Sequence, residues 1–549
     1  MPVPVDLFPR HDMSGLTEAE HEETLRDPYE ESPKYAFGVV GFVCGFIFFF
    51  VIARVVLILR RRFAPLFTKS SMYRRVTAVS RYLAAKQQKL LGVYLPTVGV
   101  MLLLFAFFTF TMTWTWATRP YYRSRWNVGG PPLAIRSGFL ALGCFPFILA
   151  FAGKWNFVTF VTGHSHEKLQ IYHQYMSHIF MILAMAHSFP WIIQGTREVK
   201  PGFEPLSQWE YSWDVAHKIY YWSGVALLSV LGWLCFASLP FIRNRFYETF
   251  KYLHIASAIL FTALFFVHCN KLLGSWDWLW VSIVLWGISV LARFVWMVWT
   301  NSGTLPRASF EVMSGEMVKL RVKCSPSERW KPGQHYFLNF LTVMPYPFQS
   351  HPFTIASIPH SEKGEPQEMV VLIRQANGLT KKLVKHLSHC ETTKTIPVIL
   401  DGPYGGVGHD LSIYEHVLLF AGGTGVTFTL PALQDLVRKS NAGDVVCNSI
   451  ELVWSVREEG DLSWMMDEIR ETVRKALSIS VVIKLYITGT QKHRRNDSDS
   501  TNSSGSTLNE KTGPNGDLAP PSYGRADIPA LVRAAGANHR TLGVAGKFI

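Results

Sequence analysis

The chain has no pair of cysteines spaced as CxxC: Cys44, Cys144, Cys235, Cys269, Cys324, Cys390 and Cys447 are scattered over 549 residues. That scatter excludes a cysteine-ligated zinc site or iron–sulfur cluster, so any redox cofactor must be held by other groups. After Thr300 no apolar run is long enough to cross a bilayer, whereas seven precede it, near residues 36–59, 91–117, 136–162, 171–193, 216–241, 251–271 and 276–300. Residues 60–89 hold no aspartate or glutamate. The polar, acidic N-terminal stretch lacks the basic start, apolar core and cleavage site of a secretory signal, so no cleaved signal peptide is expected.

What is present is apolar and aromatic: 48% hydrophobic residues, 14% aromatic, with a mean hydropathy of +0.14. At this length the balance calls for a membrane region plus at least one soluble domain. The formal charge of +14 would suit nucleic acid, but the basic residues gather beside the apolar runs, where membrane orientation accounts for them. No nucleic-acid partner is expected. The acid-free basic stretch 60–89 places that loop in the cytosol, residues 1–35 outside as an N-terminal tail, and everything after the seventh span in the cytosol.

From residue 305 to about 410, short β-branched and aromatic runs broken by Gly and Pro predict an antiparallel barrel or sandwich. From residue 415 to the end, strand-like and helix-like segments alternate, the pattern of a nucleotide-binding α/β domain. Residues 491–525, rich in Ser and Asn, read as a disordered cytosolic insertion, which leaves the sequon at Asn496 on the wrong side of the membrane for glycosylation.

Histidines inside membrane spans mark function by default. "HQYMSHIFMILAMAH" begins at His173 and ends at His187; "HIASAILFTALFFVH" begins at His254 and ends at His268. Both spacings are 14 residues, which leaves the two side chains about 40° apart around a helix and about 21 Å apart along it. Each span therefore offers one imidazole near each membrane face. Both spans run outward from the cytosol, so His173 pairs with His254 on the inner side and His187 with His268 on the outer side. Two stacked bis-histidine sites are what two b-type haems need, since a metal-bound imidazole is neutral. His178 lies about 140° from His173, off the shared face, and reads as a packing or hydrogen-bonding residue.

With these helices, and with "FYETFKYLH" leading into His254, the chain resembles the ferric reductase family, in the fungal metalloreductase branch of the superfamily that includes NADPH oxidases. The likeness runs from the second span onward, with the haem core at about residues 91–300 of a membrane region spanning 36–300; the first span looks like an addition to a six-span core. The resemblance implies an all-α transmembrane haem-binding bundle of about seven spans, followed by a cytosolic ferredoxin-reductase-like module: a β-barrel FAD domain and an α/β nucleotide-binding domain.

The flavin motifs carry the resemblance further. "HPFTIAS" resembles the segment lining the flavin ring, which makes His351, Pro352, Phe353, Thr354 and Ser357 expected FAD contacts, His351 and Thr354 foremost. "RQANGLTKKL" is similar to the family's pyrophosphate-binding turn and implicates Arg374, Gly378 and Thr380. "DGPYGG" looks like the turn closing the flavin domain. In "LLFAGGTGVT", Gly422, Gly423, Thr424 and Gly425 follow an apolar strand and open a helix-like run, the context in which helix-end amides bind a pyrophosphate. Arg457 stands where the family recognises the NADPH 2'-phosphate. The chain stops at "TLGVAGKFI", where the family continues into a Cys-Gly-Pro motif and an aromatic terminus. The nucleotide domain is thus expected to be C-terminally incomplete; Gly-Lys-Phe can be encoded with an embedded intron donor signal, which makes splice-site read-through the expected cause.

The resemblance implies a plasma-membrane, or alternatively vacuolar, NADPH-dependent reductase delivering electrons to Fe(III) or Cu(II) chelates outside, beside an iron permease and oxidase system. Two alternatives stand beside it: a superoxide-producing NADPH oxidase, and a truncated haem-binding membrane protein without hydride transfer.

Overall fold

The structure is a computed structural model describing residues 18, 32–62, 71–90, 93–122, 130–197, 218–302, 305–314, 317–341, 350–359, 365–375, 395–406, 410–443, 445–489 and 519–548. The chain divides into two compact units, Met1–Ala292 and Arg293–Ile549.

Among the described residues, seven helices are long and apolar enough to cross a membrane. They are α1 (Pro33–Arg62), α2 (Val98–Trp116), α3 (Pro132–Ala152), α4 (His166–Arg197), α5 (Lys218–Ala237), α6 (Tyr247–Cys269) and α7 (Ser275–Thr300). Each corresponds to one expected span, with a correction at the third. Its apolar run was expected to continue to residue 162, but the helix stops at Ala152, and a separate short helix, Phe157–Thr162, begins at Asn156, whose side chain accepts from Thr159 N at 2.8 Å. Gly163 closes that short helix at φ +74°, a conformation glycine adopts without strain.

The core of the bundle is α3. In its apolar window 72% of residues are buried, against a third or fewer in every other span, so it is the helix the others surround. Leu140 and Cys144 of α3 pack with Leu183 of α4 and Leu279 of α7, all fully buried. Gly143 lets α1 approach closely: a methyl group there would meet the carbonyl oxygen of Ala36 at 2.7 Å. Arg136, buried in the first turns of α3, donates to the carbonyls of Thr115 (2.9 Å), Thr118 (2.6 Å) and Pro120 (3.1 Å), satisfying groups left open where α2 ends. Apolar side chains such as Phe105 on α2, Ile259 on α6 and Leu291 on α7 are exposed, as lipid-facing positions are.

In the second unit the expected antiparallel domain is a six-stranded sheet. Its strands are β1 (Arg307–Met313), β2 (Met317–Cys324), β3 (Gln334–Phe340), β4 (His351–Thr354), β5 (Gln367–Arg374) and β6 (Ile396–Gly405), in the order β4-β3-β6-β1-β2-β5. An antiparallel bridge from Ile355 to Val371 joins the segment after β4 to β5, so the two ends of the sheet meet there as in a barrel while β4 itself is paired on one side only. Alternation along β2, β3 and β5 fills its interior with Val318, Leu320, Leu338, Phe340, Met369 and Val371.

The nucleotide-binding domain is a five-stranded parallel sheet: β7 (His416–Gly422), β8 (Ser449–Val456), β9 (Ser480–Ile487), β10 (Ser522–Tyr523) and β11 (Leu542–Phe548), ordered β10-β9-β8-β7-β11. Helices α8 (Val426–Asn441), α9 (Met466–Arg474) and α10 (Ile528–Asn538) accompany it. The two domains are joined by a buried ion pair, Lys319 Nζ to Glu468 at 2.6 Å; Lys319 also donates to the carbonyl of Trp464 at 3.1 Å. Residues 491–518 of the expected insertion, and Asn496 within it, lie outside the described residues.

Candidate functional site

The four spaced histidines form two pairs, as expected. His173 on α4 faces His254 on α6 with ring centres 6.3 Å apart, and His187 faces His268 at 6.1 Å. The ring planes cross at 74° and 86°. Two imidazoles bound to opposite sides of one metal ion, each nitrogen about 2 Å from the metal and about 1 Å from its own ring centre, would stand about 6 Å apart. Both pairs fit that spacing.

The protons are also placed correctly. His173 Nδ1 lies 2.8 Å from the carbonyl oxygen of Ile148, and His187 Nδ1 lies 2.8 Å from that of Ala134. A carbonyl can only accept, so each Nδ1 carries the hydrogen and each Nε2 keeps a free lone pair, the form that binds a metal. Ala134 and Ile148 are themselves 14 residues apart on α3, so the central helix repeats the interval of its neighbour and receives both imidazoles.

On the α5–α6 side, His268 Nδ1 donates to the carbonyl of Tyr220 at 3.1 Å and to Ser223 Oγ at 3.2 Å. His254 Nδ1 meets Ser238 Oγ at 3.5 Å. Ser238 gives its own hydrogen to Leu234 O (2.6 Å) and Ser223 gives its own to Ile219 O, so both hydroxyl oxygens are left as acceptors. Two glycines make room for the rings of His187 and His268. A methyl group on Gly138 would stand 2.8 Å from His187 Nδ1, and one on Gly224 would stand 3.1 Å from His268 Cε1. Each lies four residues after the carbonyl that its histidine bonds, Ala134 and Tyr220, so the missing side chain is what lets the ring reach the helix backbone.

Between the pairs sit Phe145, Phe180, Phe261 and Phe265, every ring within 6.3 Å of the other three. Phe180 is seven residues from both His173 and His187, and Phe261 seven from both His254 and His268, so the cluster lies midway. His178 belongs to neither pair, and its side chain is exposed.

In the second unit, β4 carries the expected flavin residues at the sheet edge, pairing His351 with Leu338, Pro352 with Phe337, Phe353 with Tyr336 and Thr354 with His335. Pro352 is tolerated because an edge strand has amides that need no partner. Thr354 Oγ1 accepts from Lys547 Nζ of β11 at 3.1 Å. The Ser357 hydroxyl donates to Glu368 O (3.2 Å) and accepts from Val370 N (3.0 Å), strapping the segment to β5. Arg374 is exposed at the end of β5, three residues beyond the Val371 bridge, on the strand that neighbours this segment. Gly378 and Thr380 lie outside the described residues. The expected turn Asp401–Gly405 is instead the end of β6, and two residues of the second unit at the end of α7 hold it: Arg293 Nη2 meets Asp401 Oδ2 at 2.5 Å, and Trp296 Nε1 donates to Gly402 O at 2.7 Å.

Gly422 ends β7, and Gly423, Thr424 and Gly425 form a single 3-10 turn that leads into α8. Gly423 adopts φ +54°, and a methyl group on Gly425 would overlap the carbonyl of Lys547 at 1.9 Å. Arg457 follows β8 and is exposed; since Ser455 is paired with Gly422 in a parallel ladder, Arg457 shares the carboxyl edge of the sheet with the glycine turn. Open parallel sheets bind nucleotides at that edge, with the phosphates at the helix N-terminus.

A membrane bundle with paired imidazoles, followed by a flavin-type barrel and a nucleotide-binding sheet, defines a class of transmembrane flavocytochrome-like redox proteins. Three family models match in the same order: a ferric reductase like transmembrane component over residues 137–265, an FAD-binding domain over 303–407 and a ferric reductase NAD binding domain over 414–545. The chain is 31% identical over 414 residues to a probable cell surface ferric reductase of Aspergillus oryzae, covering 73% of this chain and 54% of that protein. It is 30% identical over 429 residues to ferric/cupric reductase transmembrane component 7 of Saccharomyces cerevisiae, covering 75% of this chain and 65% of that one. The chain thus spans between half and two-thirds of the length of these curated relatives. It belongs to the ferric reductase family, with FAD-binding and NAD-binding domains beside its transmembrane component.

Proposed function

We propose that the chain moves electrons from cytosolic NADPH, by way of FAD and two b-type haems, to Fe(III) or Cu(II) chelates on the outer side of the plasma membrane. The observation that carries this reading is the doubled histidine arrangement: two imidazole pairs, 6.1 and 6.3 Å between centres, with the Nδ1 hydrogens turned outward to carbonyls or hydroxyls. In it, His173 and His254 hold the inner iron and His187 and His268 the outer one. When bound, FAD supplies the conversion of a two-electron donor into one-electron steps, and the irons supply one-electron centres inside a layer that excludes ions.

The chain's own groups do the rest. The edge strand His351–Thr354 lies along the flavin, and Arg374 with Gly378 and Thr380 binds its pyrophosphate. The Gly422–Gly425 turn receives the NADPH pyrophosphate on helix-end amides, and Arg457 pairs with the 2'-phosphate. Residues 1–35 lie outside and the second unit in the cytosol, in keeping with the basic loop at 60–89. The outer side then supplies reduced metal to an uptake permease. The relative named as a cell surface ferric reductase and the one named as a ferric/cupric reductase support metal chelates as the acceptor.

Cells expressing the chain should reduce an extracellular ferric chelate in the presence of superoxide dismutase, and His187→Ala and His268→Ala should abolish the gain. Complete suppression by the dismutase would redirect the reading to oxygen, and equal rates in all three chains would overturn the outer site.

A further inference from the structure

Residues 60–89, between the first two spans, carry nine Lys and Arg and no acidic residue. The loop is partly helical, from Ser71 to Ala85, with the sequence SMYRRVTAVSRYLAA. Met72, Val76, Val79 and Leu83 recur at intervals of four, three and four, which places them within about 60° of one another around the helix. All four are exposed, by 53–77%. A helix in water would turn such a stripe inward, yet here all four side chains are left uncovered.

Its position supplies the reason. The end of the helix is tied to the first turn of α2: Val98 N donates to Lys86 O at 2.9 Å, Gln87 Nε2 donates to Leu95 O at 2.9 Å, and Gly99 lies against Ala84, where a methyl group would be 3.3 Å from the Ala84 Cβ. The first turn of a span marks the boundary of the hydrocarbon layer, so the helix is fastened at the level of the lipid headgroups. Arg60, Arg61 and Arg62 end α1 at the other side of the same loop. An apolar stripe at headgroup depth, on a segment of uncompensated positive charge, matches a surface that is apolar beneath and negative above.

We propose that the helix Ser71–Ala85 lies in the plane of the cytosolic leaflet of the membrane the chain crosses, with Met72, Val76, Val79 and Leu83 among the acyl chains and anionic phospholipid headgroups as the ligand of its arginines. This is a lipid-binding surface distinct from the redox path, and it stands whether or not the acceptor is a metal chelate.

The test is hydrogen–deuterium exchange on the full chain in nanodiscs, comparing phosphatidylcholine alone with phosphatidylcholine containing phosphatidylserine. Amides of residues 71–85 should exchange about tenfold more slowly, or slower still, in the anionic discs, while those of α3 are unchanged. A chain carrying Arg74→Gln, Arg75→Gln and Arg81→Gln should lose the difference, and Val76→Ser with Val79→Ser should lose the protection in both lipids. Unequal protection of α3 would expose a variant that fails to insert, and the comparison of the unaltered chain in the two lipids then decides alone. Equal exchange of residues 71–85 in the two lipids overturns the proposal.

Discussion

Gly138 lies against the imidazole of His187, so that a single methyl group on it would stand 2.8 Å from Nδ1, the atom that donates to Ala134 O. The glycine and the hydrogen bond are one device, since the ring reaches the carbonyl of Ala134 only because residue 138 has no side chain. Gly138→Ala should push the ring off this bond and weaken the iron site proposed at His187 and His268 by about 10- to 100-fold, the usual effect of removing a ligand's hydrogen-bond partner. Haem per polypeptide should fall by about half, while Gly41→Ala, with nothing within 4 Å of the added methyl, should leave it unchanged. Full haem content in Gly138→Ala, measured by pyridine haemochrome, would contradict the assignment.

Ser238 and Ser223 accept from the two α6 histidines, but they differ in what stands behind them. His268 keeps the carbonyl of Tyr220 if Ser223 is removed, whereas His254 loses the acceptor at 3.5 Å if Ser238 is removed. A donated Nδ1 hydrogen makes an imidazole a more basic ligand, which favours the ferric state. Ser238→Ala should therefore raise the midpoint potential of the centre proposed at His173 and His254, and Ser223→Ala should shift the one proposed at His187 and His268 less. A spectroelectrochemical titration resolving two components would show this; equal shifts would mean the hydroxyls do not tune the ligands.

The spans and the four-histidine pattern were legible because each rests on a repeat: about 20 apolar residues for a crossing, and 14 residues for one face of a helix seen twice. The acceptors of the Nδ1 hydrogens were not, because every residue offers a carbonyl and nothing in the composition of α3 distinguishes Ala134 from its neighbours. Gly138 and Gly224 carried a readable trace, a glycine inside an apolar helix, whose meaning depends on which ring lies opposite. The break after Ala152 was hidden for another reason: "FAGKWNFVTFVT" returns to an apolar run just past the corner, and only Gly153 as the C-cap, Lys154, Asn156 as the next N-cap and Gly163 at positive φ betray it. Likewise Ser357 belongs to the flavin motif by sequence, while its hydroxyl is committed to β5.

Phe261 belongs to the four-ring cluster midway between the pairs and is 6% exposed. Truncation to alanine removes a buried aromatic from packed neighbours, a loss of about 3–5 kcal/mol of stability. Phe261→Ala should lower the detergent thermal midpoint of the bundle, with Phe261→Leu losing less. Because both imidazole pairs are held by α3 and α5 backbone or hydroxyl groups elsewhere, the leucine variant should keep both haems. Loss of haem from Phe261→Leu would show that the cluster also holds the sites open.

Arg457 shares the carboxyl edge of the parallel sheet with the Gly422–Gly425 turn, where it is proposed to pair with the NADPH 2'-phosphate. Arg457→Gln should raise KM for NADPH by about tenfold or more, the worth of a charge-assisted hydrogen bond, and leave NADH unaffected. Flavin reduction followed with each cofactor separates the outcomes. An equal change for both would assign Arg457 to the fold, where its carbonyl accepts from Gly489 N at 2.9 Å.

His416 opens β7 and stacks on His539, ring centres 4.3 Å apart and planes 7° from parallel, with Nδ1 2.6 Å from Ser449 Oγ. Burial, then the neighbouring His539, hold its pKa below the ordinary histidine value; Lys484 acts in the same direction, and Glu451 opposes it. The folded chain thus favours the neutral ring, and below about pH 6.5 the unfolded chain binds more protons than the folded one. Stability that is complete above that pH should be lost progressively as the pH falls through the lowered value. Thermal unfolding of the nucleotide-binding domain within the full chain, followed between about pH 7.5 and about pH 5.5, should show this slope, and His416→Asn should flatten it whatever it does to the midpoint at neutral pH. An unchanged slope in the variant would place the acid sensitivity elsewhere in the molecule.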